Sequence, residues 1–194
     1  MARRILIIQG HPDPNPHRLC RALADAYAAG ATEAGHQVTR IDLARLNFPL
    51  LRTAAEFEHG AVPATLQPAQ AALLAAEHIV LVFPLWLGTM PALVKAFLEQ
   101  VMRPGIAFAY QERGMPKKLL AGRSARLVVT MGMPVLAYRW WFFGHGLKGL
   151  ERNILRFVGI RPVRESLFGM IGVVSDAWRQ RWLEQMHRLG RQGA

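Results

Sequence analysis

The chain is predicted to fold as a single α/β domain, a three-layer sandwich with helices on both faces of a five-stranded parallel sheet of order 2-1-3-4-5. Three observations predict it. Apolar runs of strand length alternate with helical periodicities along 194 residues, with no linker, repeat or low-complexity tract between them. The run Ile79–Phe83 is unbroken, as in a strand covered on both faces. Candidate ligand loops follow the first, third and fourth strands, which places a topological switch point there.

The elements are justified in chain order. Arg4–Gln9 reads as a buried first strand, and Gly10–Pro14 as a loop. Asn15 then looks like an N-cap with Pro16 at the first helical position. Leu19, Ala22, Leu23, Ala26, Tyr27 and Gly30 keep helical spacing, so this helix is expected to run to about Gly35. Val38, Ile41 and Leu43 mark a second strand over Gln37–Leu43. Asn47–Pro63 is the longest irregular stretch, and Leu66–Glu77 is an Ala-rich helix. Ile79–Phe83 ends at Pro84, which cannot donate to a ladder. Pro91 opens a helix carrying Leu93, Phe97 and Val101 on one face, with Lys95, Glu99 and Arg103 in register for i,i+4 pairing on another. Ala125–Thr130, Lys148–Val158, Leu167–Gly172 and Asp176–Leu189 complete the alternation as strand, helix, strand and helix.

Composition excludes several classes. A hydrophobic content of 52% argues against disorder. No apolar run approaches the ~20 residues of a membrane helix. The N-terminus has two arginines followed by too short an apolar run for a signal peptide, and a cytoplasmic location is expected. Cys20 is alone, so no internal disulfide forms, and a small buried residue is its plain reading. The seven histidines lack H-x-x-x-H or H-x-H spacing, and no metal site is expected. There is no G-x-S-x-G elbow and no obvious hydrolase nucleophile.

The net charge of +11 is uneven. Residues 1–110 carry 9 Lys+Arg against 8 Asp+Glu, and residues 111–194 carry 15 against 5. Such a half is a solvated basic face, or it meets an anionic nucleotide, an anionic lipid surface or nucleic acid. No zinc-finger spacing, RNP-type motif or Lys/Arg run supports nucleic acid.

Three loops carry the chemistry. The first offers His11, Asn15, His17 and Arg18 at a helix start, a setting for a phosphate monoester or simply a capped helix with basic neighbours. It has neither the Walker nor the G-x-G-x-x-G pattern. The loop after the third strand, Leu85-Trp86-Leu87-Gly88-Thr89, is apolar where a bare connector would be polar, which points to a flat, partly apolar ligand. The loop after the fourth strand contains Thr130, Gly132, Tyr138 and His145, and Tyr138 and His145 are the pair there able to transfer protons. Between them Trp140, Trp141, Phe142 and Phe143 form a core or oligomer contact, or a ligand wall.

"ILIIQGHPDP", "FPLWLGTMPALVKAFLEQVMRPGIAFAY", "LLAGRSARLVVTMGMP" and "GIRPV" together resemble the flavodoxin-like NAD(P)H:quinone oxidoreductase family, which includes DT-diaphorase and the ancillary reductases of bacterial potassium-efflux systems. The resemblance covers nearly the whole chain. It implies noncovalent FMN or FAD at the strand C-termini, with hydride passing from NAD(P)H to the flavin and on to a quinone-like acceptor in a ping-pong cycle. It places His11, Asn15, His17 and Arg18 on the flavin phosphate or ribityl chain. Pro84, Leu85, Trp86, Leu87 and Gly88 would meet the ring, and Thr130, Gly132 and Tyr138 would form the next flavin loop. Tyr138 and His145 would assist proton and charge movement. Phe108, Tyr110 and Trp140 would belong to an acceptor pocket and homodimer interface. The +11 charge argues against an acidic electron-transfer flavodoxin. A regulatory protein of this fold, docked through its basic half on a membrane transporter or an anionic membrane, is the alternative.

Overall fold

In the computed structural model, which describes residues 1–194, the third strand is buried at all seven positions, His78–Pro84. It lies between the first strand, β1 (Arg4–Gln9), and a later strand, Ser124–Thr130, in parallel register with both. The chain proceeds from β1 through α1 (Leu19–Glu33), β2 (Gln37–Asp42), α2 (Ala54–His59) and α3 (Gln67–Ala75) to β3 (His78–Pro84) and α4 (Ala92–Val101). A small antiparallel hairpin follows, β4 (Phe108–Ala109) with β5 (Lys117–Lys118). Then come β6 (Ser124–Thr130), α5 (Val135–Trp140), α6 (His145–Gly149) running into a π-helical turn over Leu150–Leu155, β7 (Val163–Phe168) and α7 (Asp176–Gln192). The main sheet has the order β2-β1-β3-β6-β7, which is the expected 2-1-3-4-5 with the hairpin set aside.

Alternation along the strands makes two cores. Leu6, Ile8, Ile79, Leu81, Phe83, Leu127 and Val129 face α3, α4 and the helix after residue 145. Ile5, Ile7, Val80, Val82 and Val128 face α1 and α7. Period-two side chains on a doubly covered strand must feed both layers, which is why these runs read as continuously apolar.

Several element boundaries differ from expectation, each for a local reason. Asn15 does not cap α1: its Oδ1 accepts from His17 N at 2.9 Å in a turn, and the helix starts three residues later than Pro16 with no side-chain cap. The irregular stretch 47–63 contains α2, capped where Thr53 Oγ1 accepts from Glu56 N at 3.1 Å, a Thr-x-x-Glu signature. The last strand lies at Val163–Phe168 and not Leu167–Gly172. As a sheet edge it is only partly covered, so Arg164 and Glu165 are accommodated and the apolar-run rule fails. Lys95 pairs with Glu99 as expected, but α4 ends at Val101 and Arg103 turns inward. Its guanidinium donates to the carbonyls of Glu56 and Gly60 at 2.6 and 2.7 Å, fastening the 47–63 segment to the core.

At the N-terminal end of β3, His78 is buried, stacked on Tyr27 with ring centroids 6.4 Å apart, and its Nδ1 lies 2.8 Å from Ser124 Oγ. Its Nε2 is buried without a partner. Burial, with Arg126 nearby, pushes its pKa down to about 3. The folded state therefore holds this imidazole neutral while the unfolded chain protonates it near the ordinary value. Above about pH 6.5 it contributes no pH dependence. Between there and pH 3, stability drops by about 1.4 kcal/mol per pH unit from this group. Urea unfolding across that range should show a shallower slope for His78→Phe than for wild type, whatever the change in absolute stability.

Candidate functional site

The C-terminal ends of β3 and β6 are level, with Pro84 opposite Thr130 and Leu85 N donating to Thr130 O at 2.8 Å. Gly10 N donates to Val82 O at 2.7 Å, bringing the first loop beside them. A cavity of about 760 Å³ opens here, lined by His11, Asp13, His17 and Arg18 from the first loop and by Leu19, Cys20 and Ala22 of α1. Pro84 and Trp86 after β3 and Thr130 of β6 complete the expected wall. Ile171 after β7, with Arg179 and Leu183 of α7, forms a side that the sequence reading missed. The signal was present: with β7 placed at 163–168, the loop after it becomes one more strand-end loop, and Arg179 follows one turn into a helix.

The first loop is built to hold its polar groups in fixed states. Asp13 N donates to His11 Nδ1 at 3.0 Å, so Nδ1 is an acceptor and the proton sits on Nε2. Burial and then the Arg18 charge hold the His11 pKa below its usual value, so the ring is a neutral donor at pH 7. Its ring meets Trp86 edge to face at 6.1 Å. Arg18 Nε donates to Asp13 Oδ2 at 2.7 Å. The Asn15 amide N and the Arg18 guanidinium both bond to Asp13 and hold its carboxyl below the usual range. Asn15 orders this loop from outside the cavity lining. α1 begins without a side-chain cap; Arg21 N and Ala22 N donate to Arg18 O, and the N–H groups of Leu19 and Cys20, both in the wall, remain open to an anion. Arg179 adds a second cation from the opposite side, its NH2 tied to Ile171 O at 3.3 Å.

Beneath these groups Cys20 Sγ lies 3.1 Å from Thr130 Oγ1. Burial pushes this thiol up to about 11, so it remains protonated and is a packing residue.

The turn after β3 is a two-residue hairpin. Trp86 N donates to Thr89 O at 2.9 Å and Thr89 N to Trp86 O at 3.0 Å. Both central residues have positive φ, 48° at Leu87 and 80° at Gly88. A Gly at the second position is favoured there; a Leu at the first is strained. Their amide N–H groups have no backbone partner, and neither residue is among those lining the cavity, which their neighbour Trp86 does. Leu87 itself is fully exposed.

Tyr138 anchors this turn. Its hydroxyl donates to Gly88 O at 3.1 Å and accepts from Leu147 N at 3.2 Å. The side chain is buried, and burial raises the phenol pKa, so it stays protonated. Gly146 packs so closely on the turn that an added Cβ would sit 2.1 Å from Gly88 O. His145 is exposed, with its ring 5.6 Å from that of Phe143. Tyr138 and His145 thus stand at the same end of the sheet without a hydrogen bond between them. Leu85 is tied to β6, and Gly132 lies exposed beyond Thr130; neither lines the cavity. Trp140 lies exposed at the end of α5 and lines neither the cavity nor the groove at Phe108. Phe108 is buried against Tyr110 and Phe157, in a separate apolar groove of about 280 Å³.

The residues fit a flavin mononucleotide. Two cations and open helix amides suit a phosphate, and Pro84 with Trp86 offers an apolar wall for a flat ring. This α/β order, with ligand loops at the switch point, defines a nucleotide-binding doubly wound protein. The model of the flavodoxin-like fold family matches residues 3–189, and the chain belongs to that family. It is 30% identical over 184 residues, 92% of this chain and 90% of the relative, to a protein of Haemophilus influenzae described as an uncharacterized NAD(P)H oxidoreductase. Over 90 residues it is 41% identical to an FMN-dependent NADH:quinone oxidoreductase of Listeria innocua, covering 46% of this chain and 42% of that protein. Among solved structures, an NAD(P)H:quinone oxidoreductase from Methanothermobacter marburgensis has the same fold, with a TM-score of 0.81 at 22% identity over 98% of each chain.

Removing the Tyr138 hydroxyl tests the anchor. Tyr138→Phe leaves Gly88 O and a buried Leu147 N unpaired, and should lower unfolding stability by about 1–3 kcal/mol. Because the turn is loosened, flavin affinity should drop as well. Equilibrium unfolding and flavin titration together check this, and wild-type values in both would mean that the turn is held by packing alone.

Proposed function

We propose that the protein is an FMN-dependent NAD(P)H oxidoreductase that reduces quinones or similar acceptors by two electrons. The observation that carries this reading is the 760 Å³ cavity where the neutral His11 donor, Arg18 and Arg179 gather beside Pro84 and Trp86. The names borne by its relatives, NAD(P)H oxidoreductase and FMN-dependent NADH:quinone oxidoreductase, support the same chemistry. Bound FMN would relay two electrons between nicotinamide and acceptor, one substrate at a time. The chain's own tasks are binding and orientation. Arg18, Arg179 and the α1 amides hold the phosphate, and Trp86 and Pro84 flank the ring. The amides of Leu87 and Gly88, on the turn that Tyr138 holds, would be the donors for the polar edge of the ring. His145, exposed at the same end, is the titratable group placed to exchange protons with the acceptor, and Tyr138 positions the turn.

The phosphate assignment separates from ring binding by experiment. Arg18→Ala and Arg179→Ala should each weaken FMN binding about tenfold, as loss of a charge-assisted hydrogen bond implies, and leave riboflavin affinity unchanged. Equal losses for both flavins would move the phosphate elsewhere. NADH or NADPH oxidation with a panel of quinones and azo dyes tests the activity itself.

The same reading includes a homodimer. The groove beside Phe108 is lined by Phe57, Leu98, Met102, Tyr110 and Phe157, and its rim holds both Lys95 and Glu99. These two pair with each other within the chain, so the rim is already neutralised and the apolar floor of the groove is what a second copy would cover. Sedimentation should give a dimer that Tyr110→Glu dissociates; a monomer in the wild type would exclude it. A contact of the basic half with an anionic surface completes the proposal. No helix is long and apolar enough to cross a membrane.

A further inference from the structure

The exposed large apolar side chains are not scattered. All but Met1, Leu74, Tyr110 and Met115 belong to segments that follow the C-terminal end of a main-sheet strand. That is the end where the 760 Å³ cavity opens. The densest part is the turn after α5, where Trp140, Trp141, Phe142 and Phe143 are 78%, 80%, 50% and 59% exposed. Contiguous apolar surface on this scale marks an interaction site. Backbone strain points the same way. The non-glycine residues with positive φ are Leu87, Phe143 and Met170, at 48°, 53° and 58°. Each is bulky and apolar, each is exposed, and they follow β3, β6 and β7. Such conformations persist only where the surroundings enforce them, and here they hold apolar side chains outward at one end of the molecule.

Charge identifies what covers this end. The groove next to the aromatic turn is lined by Arg126, Arg139, Lys148, Arg152, Arg156 and Arg164, against Glu151 and Glu165. Glu165 is paired with Arg139 and Glu151 with Arg156; of the four cations left without a carboxylate partner, Arg126 and Arg164 lie toward the N-terminal ends of β6 and β7, and Lys148 and Arg152 lie on the helix that leaves the aromatic turn. A second copy of a +11 chain set on this face would bring unneutralised cations together. A bilayer rich in anionic lipid would neutralise them. Its headgroup region is also where Trp rings settle, one edge wet and one face apolar.

We infer that the cavity end seats on an anionic membrane surface, with the Trp140–Phe143 turn inserted at headgroup depth and Lys148 and Arg152 on lipid phosphates. Resting on the reductase reading above, the inference names the acceptor class: a lipophilic quinone dissolved in the bilayer, entering the site from the lipid side past Leu87.

The test uses FMN-loaded enzyme with two kinds of vesicle, neutral phosphatidylcholine alone and the same lipid with about one-third phosphatidylglycerol. Co-sedimentation should favour the anionic vesicles at least tenfold and be lost near 1 M salt, where screening acts within about 3 Å. Trp141→Ser with Phe142→Ser, both on exposed side chains outside either cavity, should lower the partition about tenfold or more. That variant should keep its rate with a short-chain, water-soluble quinone but lose rate with an isoprenoid-tailed quinone held in anionic vesicles. Equal binding of wild type and variant, or of neutral and anionic vesicles, would overturn the docking face. A variant that turns from dimer to monomer in sedimentation would do so too, assigning the turn to a second copy. Vesicle binding by a protein that reduces no quinone at all would sink the reductase reading and the acceptor assignment, while the docking face stands.

Discussion

Burial of β3 on both faces is the constraint on which the molecule depends. Every side chain from His78 to Pro84 is covered, so the strand must feed one helix layer with Ile79, Leu81 and Phe83 and the other with Val80 and Val82. That requirement places β1 and β6 on either side in parallel register, with the C-terminal ends of β3 and β6 level and β1 ending opposite Val82. Pro84 then stops the ladder at one height, opposite Thr130, and every loop beyond that line meets at a common rim. The binding site is a consequence of where the sheet is forced to end.

At that rim, flexible-looking loops are held by specific pairings. Asp13 orders the first loop twice, through its backbone N–H to His11 and its carboxylate to Arg18, and so fixes both the tautomer of a histidine and the direction of a guanidinium. Tyr138 does the same for the turn at Leu87–Gly88, one hydroxyl joining the loop after β3 to the start of the helix after β6. A preordered site of this kind loses little freedom on binding, which is how short polar contacts become affinity. Strain at Leu87 is the cost of aiming its amide and side chain outward.

The two surfaces that the fold leaves open differ in character. The groove beside Phe108 is apolar, with Lys95 and Glu99 neutralising each other at its rim. The aromatic turn after α5 leads into a helix whose Lys148 and Arg152 have no carboxylate partner. Uneven charge in the sequence thus becomes, in three dimensions, a distinction between two surfaces.

The sequence by itself determined the fold class and the height of the site. Doubly covered strands cannot hide their composition, so β1, β3 and β6 were legible, as was the apolar loop Leu85–Thr89 between them. His11, His17, Arg18, Pro84, Trp86 and Thr130, which share the wall of one cavity, could be picked out by their position after those strands. What lies at edges and in loops was decided only by tertiary structure. β7 is half exposed, so its polar residues disguised it, and with it went the loop that brings Arg179 to the cavity. Asn15 has the look of a cap, yet a competing side-chain turn delays the helix by three residues. Tyr138 and His145 share a loop and a spacing, but folding buries one under the turn it secures and leaves the other in solvent. Periodicity reports which side of an element meets the core; which partner a buried hydroxyl finds depends on segments far apart in the chain, and only their packing settles it.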